Sequence, residues 1–142
     1  MIVSVSYEHL EQILSIERSS FSRPWSECHF KSDLNNKISV NWVYLNNIQV
    51  RGYLFGWHVM DEYHLNNIAV AKRFRENGAA INLLKNMVSY LNDIKVKSVL
   101  LEVSSSNLPA RKLYEKMGFL PQGEREDYYT KGDDAVLYTL EI

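Results

Sequence analysis

Apolar positions along the chain recur at two spacings, and the switches between them divide it into elements. Residues 2–5 read as a short first strand. Leu10, Ile13, Leu14 and Ile16 then fall at helical spacing, in a helix that Ser6 can cap and that runs to about Ser20. In SFSRPWSECHF, Pro24 interrupts regular structure and Ser26 can cap a short helix through about Asp33. Strand-like runs follow at 38–46, 48–60 and 62–70, divided by the turn signals Asn46-Asn47 and Asp61-Glu62. Helical spacing returns from Gly78 to about Asp93, with Ile81, Leu83, Leu84, Met87, Val88 and Leu91 largely on one side. VKSVLLEVS is apolar and β-branched, as a buried strand is. Asn107 to Met117 reads as helix, stopped by Gly118, and FLPQG and DAVLYTLEI close the chain as two strands.

The order β-α-α-β-β-β-α-β-α-β-β joins an antiparallel meander to a β-α-β-α half. That order predicts a mixed sheet in an α/β or α+β layered domain. The length of 142 residues, without repeat or linker, fits one domain over 1–142. A net charge of -1 argues against a generic nucleic-acid binder. The one cysteine, Cys28, allows no internal disulfide, so a reducing compartment is expected, with the thiol core or half-buried. No run approaches the roughly 20 apolar residues of a membrane span, and MIVSVSYEHL does not read as a signal peptide. A cytoplasmic protein with no membrane partner is expected.

Two stretches carry candidate chemistry. In the first, Arg75-Glu76-Asn77-Gly78-Ala79-Ala80 has the form R-x-x-G-x-A at the start of a helix. The first turn of a helix leaves N–H groups without partners and adds partial positive charge. A pyrophosphate fits there, with Gly78 allowing close approach and Ala79 and Ala80 keeping it clear. Lys72, Arg73 and Arg75 add charge, and Glu76 opposes it. Read alone, the stretch serves equally well as a strand-to-helix turn. It is neither a Walker loop nor a dinucleotide G-x-G-x-x-G.

In the second, LLEVSSSNLPARKLYEKMGF, Glu102 sits near the end of a strand and Tyr114 one turn before a helix ends. A carboxylate and a phenol facing a shared crevice can serve as base and acid. Taken singly, Glu102 reads better as an edge carboxylate paired with Lys or Arg, Tyr114 as a core aromatic, and Asn107 as a helix cap.

Taken together, IAV…RxxGxA…LL followed by LEVxxSNxxAxxLYEKxGF resembles the GNAT N-acetyltransferase superfamily. SFSRPWS, NIAV, and Arg125, Tyr128 and Tyr129 followed by Asp133 to Ala135 narrow the resemblance to RimI-type ribosomal-protein N-terminal alanine acetyltransferases. It covers essentially the whole chain. It implies a mixed, mostly antiparallel sheet of about six or seven strands with about four helices. It implies acetyl-CoA as co-substrate and no metal. Its pyrophosphate would lie on the backbone of Arg75, Glu76, Asn77, Gly78, Ala79 and Ala80, and its pantetheine arm along Asn67, Ile68, Ala69 and Val70, where the strand would splay from its neighbour at a bulge. Asn107 matches a position that contacts the same arm.

The resemblance further implies Glu102 as general base and Tyr114 as general acid. Pro24 and Trp25 would wall a peptide groove, with Tyr128 and Tyr129 opposite. Read from its residues, the Pro24-Trp25 stretch is equally a turn packed on the core. The acceptor would be the N-terminal alanine of small-subunit ribosomal protein eighteen, taken by a monomer or weak dimer with no direct nucleic-acid contact. Glu76, Ser104, Glu126 and Asp127 depart from the RimI-type pattern and bear on cofactor affinity and acceptor identity. A lysine or small-molecule amine as acceptor, and a non-catalytic acetyl-CoA-binding module, are the alternatives.

Overall fold

The structure is a computed structural model and describes residues Met1 to Ile142. Seven strands form one sheet in the order β1-β2-β3-β4-β5-β7-β6. They are β1 (Ile2–Ser4), β2 (Ser39–Asn46), β3 (Gln49–Val59), β4 (Glu62–Val70), β5 (Ser98–Ser104), β6 (Leu120–Thr130) and β7 (Asp133–Glu141). Only β4 and β5 pair in parallel. The helices are α1 (Leu10–Ser20), α2 (Glu27–Leu34), α3 (Ala79–Asp93) and α4 (Leu108–Lys116). The fold is therefore the mixed sheet in a layered α/β domain that the sequence pattern predicts, and it is mostly antiparallel with seven strands and four helices, as the family resemblance implies.

The period-2 alternation of the strands builds a core on each face. Trp42, Leu54, Tyr63, Leu65 and Leu101 point to one side and pack with Leu83, Leu84 and Met87 of α3 and Tyr114 of α4. Val43, Tyr53 and Phe55, one residue out of phase, point to the other side and meet Leu10, Ile13 and Leu14 of α1 and Phe30 of α2.

A register break sets which way the side chains at the end of β4 face. Leu65 pairs with Gly56 and Asn67 with Phe55, so Asn66 is an extra, unpaired residue. A bulge of this kind reverses the alternation beyond it. Tyr63 and Leu65 face α3, but after the bulge Ile68 takes that face and Ala69 joins the α1 side.

The structure departs from the sequence expectations at three places. Strand β6 runs on to Thr130, well past FLPQG, and is an edge strand exposed along nearly its whole length. Such a strand buries neither face and carries no apolar alternation to read. A 3-10 turn over Tyr7–His9 precedes α1, so Ser6 does not open the α-helix itself. Cys28 is exposed on α2 rather than core or half-buried.

Candidate active site

Strand β5 is held to β7 along its whole length, Ser98 to Ser104, whereas β4 follows β3 through to Val70. The two parallel neighbours therefore share only four residue pairs, ending at Leu65↔Leu101. Beyond that pair they fork. One branch is Asn67 to Val70, with the bulge at its root. Glu102 is the first residue of the other branch.

At the far end of the first branch the chain makes a 3-10 turn, Lys72–Phe74, and then the loop into α3. Gly78 is the N-cap of α3 at φ 80°, a left-handed conformation that a Cβ would strain, and the space beside it is open. Glu76 is also left-handed, at φ 66°. With these turns, the main-chain N–H groups from Glu76 through Ile81 donate to no acceptor within the chain. Successive unpartnered donors at the start of a fifteen-residue helix suit a phosphate group. The Arg75 side chain is committed elsewhere. Its Nε donates to the Val70 carbonyl (2.9 Å) and its terminal nitrogen to Ser20 Oγ (3.0 Å), tying the loop to both β4 and α1.

Glu102 is half-buried. Its Oε1 lies 3.3 Å from the Arg125 guanidinium, while its Oε2 is buried and has no hydrogen-bond partner. Arg125 lies 5.2 Å over the Tyr128 ring, which is edge-on to Tyr129 at 5.0 Å. Burial pushes the Tyr129 phenol up to about 12, with help from the charges of Glu102 and Asp133 and from Tyr128. Tyr114 is held above the usual tyrosine range, chiefly by burial and then by Tyr129. Tyr129 is thus within electrostatic reach of both Glu102 and Tyr114.

The position of Tyr114 follows from how α4 ends. Gly118, at φ 99°, donates its N–H to Glu115, and Phe119 donates to Tyr114. This is the paired closure of a Schellman cap. It lays the Phe119 ring against the Tyr114 ring at 5.6 Å. The Tyr114 hydroxyl itself makes no hydrogen bond in the chain, so a partner for it has to come from outside.

Asn107 performs the helix-cap role, accepting from the Ala110 N–H at 3.3 Å. Pro24 is exposed, and the half-buried Trp25 stacks on His29 at 3.8 Å and packs against Phe30 and Phe55. The α1–α2 loop also reaches across the groove, with the Arg23 guanidinium donating to the Tyr129 carbonyl at 2.9 Å. The structure thus links Glu102 to Tyr128 and Tyr129 through Arg125 beside the β5 branch of the fork, while Tyr114 lies in the core with Leu101 and Val103, the neighbours between which Glu102 alternates, and feels the group through Tyr129. It brings Arg75 to Ala80 to the end of the other branch.

Sequence reasoning missed Glu17. The residue is 1 % exposed and receives three hydrogen bonds, from the Trp25 N–H, the Tyr53 hydroxyl and the Asn67 side chain. A signal was present: Glu17 follows Leu10, Ile13 and Leu14 at seven, four and three residues, an acid on the apolar stripe of α1.

The geometry has relatives. A family model described as the Acetyltransferase (GNAT) family matches residues 10–119. The chain belongs to the GNAT family of acetyltransferases. It is similar to the Escherichia coli ribosomal protein bS18-alanine N-acetyltransferase, 31% identical over 99% of this chain and 97% of that protein. A Bacillus subtilis protein provisionally named for the same activity is 33% identical over 95% of this chain and 91% of its own length. The crystal structure of the Escherichia coli ribosomal-protein-S18-alanine N-acetyltransferase superposes with a TM-score of 0.94 at 30% identity, covering 100% of this chain and 93% of that one. The chain is therefore an acyltransferase of the N-acetyltransferase type, and the RimI-type resemblance holds over nearly its full length.

Proposed function

We propose that the protein transfers the acetyl group of acetyl-CoA directly to the α-amine of an N-terminal alanine, on a ribosomal protein of the bS18 type. One observation carries the reading. Glu102 stands one residue beyond the last β4–β5 pair, with a buried oxygen that no donor in the chain satisfies. A buried acceptor left unpartnered costs free energy, and an acceptor ammonium arriving at the fork would supply the missing donor. The names of the full-length relatives support the choice of acceptor.

Acetyl-CoA fits the residues present. The free N–H groups of Glu76 to Ile81 would hold its pyrophosphate, and the open edge of Asn67 to Val70 its pantetheine arm. Glu102 Oε2 accepts a proton from the acceptor ammonium. The freed amine attacks the thioester carbon, the C–N bond forms as the C–S bond breaks, the Tyr114 phenol protonates the departing sulfur, and the proton shed by the new amide nitrogen restores the phenol, while Glu102 releases its own proton to solvent. A phenol held above the usual range stays protonated through the neutral region, as a donor must.

The α-amine suits one carboxylate base. Its pKa of about 8 lies roughly one unit above neutrality, against more than three for a lysine at about 10.4, at about 1.4 kcal/mol per unit.

The test is mass spectrometry of the purified protein with acetyl-CoA and two peptides. One carries the alanine-starting N-terminus of bS18; the other has a blocked N-terminus and an internal lysine. Acetyl on the α-amine alone is the expected result. Acetyl on the lysine, or on neither peptide, overturns the acceptor assignment.

A further inference from the structure

We propose that Glu17 is a positioning residue that holds the cofactor strand and the acceptor wall in one register, a role that rests on the proposed acceptor chemistry. The bulge at Asn66 creates the need for it. Without the extra residue, Asn67 would fall in phase with Tyr63 and Leu65 on the α3 face; with it, Asn67 turns to the α1 face. There its side-chain nitrogen donates to Glu17 Oε1 at 2.8 Å. Asn67 is itself nearly buried at 9 % exposure, so the amide has no ready exchange for water.

The same oxygen accepts from the Tyr53 hydroxyl at 2.6 Å. Burial, and then the Glu17 carboxylate, raise the Tyr53 phenol far above its ordinary value, so it remains a donor. The second oxygen, Oε2, accepts from the Trp25 N–H at 2.9 Å. One buried side chain of α1 thus joins β3, the root of the open branch of β4, and the main chain of the loop that carries Pro24 and Trp25. The β4 and loop partners lie 50 and 8 residues from Glu17 in sequence.

The energetic logic favours placement over bulk stability. A carboxylate sunk in an apolar face is costly, and three donors offset that cost without making the site better than a hydrocarbon one. What the arrangement adds is direction. A carboxylate accepts at both oxygens, and no other side chain of that length does. Glu17→Gln keeps the shape but turns one oxygen into a donor, which faces either the Trp25 N–H or the Asn67 amide.

The experiment measures acetyl-CoA dissociation by calorimetry, and kcat and KM by turnover. The proteins are wild type, E17Q, N67A and the double variant, at a temperature where circular dichroism shows each folded. Loss of a hydrogen bond to a charged group predicts acetyl-CoA affinity weakened about fivefold or more in E17Q and N67A, and acceptor KM raised about tenfold in E17Q alone. The double variant should be no worse than E17Q, because Asn67 acts through Glu17. Wild-type constants in folded E17Q, or additive losses in the double variant, overturn the proposal. If E17Q does not fold, N67A decides by its acetyl-CoA affinity. If wild-type protein acetylates neither peptide, the acceptor reading falls. Glu17 is then judged on acetyl-CoA affinity in E17Q, where a weakened value supports the role and an unchanged one overturns it.

Discussion

Arg125 of β6 and Glu102 of β5 form an ion pair at 3.3 Å that engages one carboxylate oxygen and leaves the other buried and unpartnered. The reading of Glu102 as an ion-paired edge carboxylate and the reading of it as a base are therefore both compatible with one geometry. The pair orients the carboxylate while Oε2 is left for a proton.

Replacing Glu102 with Gln should lower turnover at pH 7 by about a hundredfold or more, the usual worth of a positioned base. The deficit should shrink as the pH rises past the α-amine pKa of about 8, where solvent has already removed the proton. Turnover of both proteins from about pH 6.5 to 9.5 checks this. A deficit that stays constant across that range would count against Glu102 as the base.

Tyr114→Phe removes a hydroxyl that bonds to nothing in the chain while keeping the ring that packs on Phe119 and Tyr138. Stability should change by less than about 1 kcal/mol, because no intramolecular hydrogen bond is lost. Turnover should fall about tenfold or more, with the acetyl-CoA dissociation constant nearly unchanged. The opposite pattern, weaker binding at equal turnover, makes Tyr114 a binding residue.

Much of this architecture was legible in the sequence because it rests on short-range rules. The periodic helices, the Gly118 stop, the Ser26 cap and the R-x-x-G-x-A loop all appear where their patterns put them. What was not legible depends on partners distant in sequence. The bulge at Asn66 was anticipated by the family resemblance alone, because it is a property of the β3–β4 pairing and not of the residues around it. The second use of Arg75 needs Ser20, and the strap from Arg23 needs Tyr129, 106 residues away. The continuation of edge strand β6 past FLPQG to Thr130 hid because a strand buried on neither face has no alternation to show. Glu17 hid for the opposite reason: a single acid on an apolar stripe reads as an ordinary interruption until its three donors are seen.

Glu76 combines two costs in the loop. It is a non-glycine residue at φ 66°, and its charge sits beside N–H groups that would face phosphates. Asn tolerates the left-handed region better and carries no charge. Glu76→Asn should therefore lower the acetyl-CoA dissociation constant by about two- to fivefold, an effect that weakens with added salt as charge interactions do. The acceptor KM should not move. Calorimetry at low and high ionic strength checks it, and an unchanged or weakened affinity at low salt would remove Glu76 from the electrostatics of the loop.

Tyr53, Tyr63, Tyr114 and Tyr129 all have phenols raised above the ordinary value, and burial is the largest cause for each. In the unfolded chain these groups ionise near pH 10. In the folded chain they keep their protons well beyond that. Below pH 10 both states are neutral at these sites and the shifts contribute no slope. Above it the unfolded chain binds fewer protons than the folded one, so stability must fall as pH rises. Each phenol that ionises only in the unfolded chain adds about 1.4 kcal/mol per pH unit to that fall. Urea midpoints should thus hold roughly level from neutrality to about pH 10 and then drop steeply. Y114F, lacking one such group, should drop less steeply by about one group's share. Equal slopes for the two proteins would mean that Tyr114 ionises in the folded chain as readily as in the unfolded one, and that burial does not hold its phenol up.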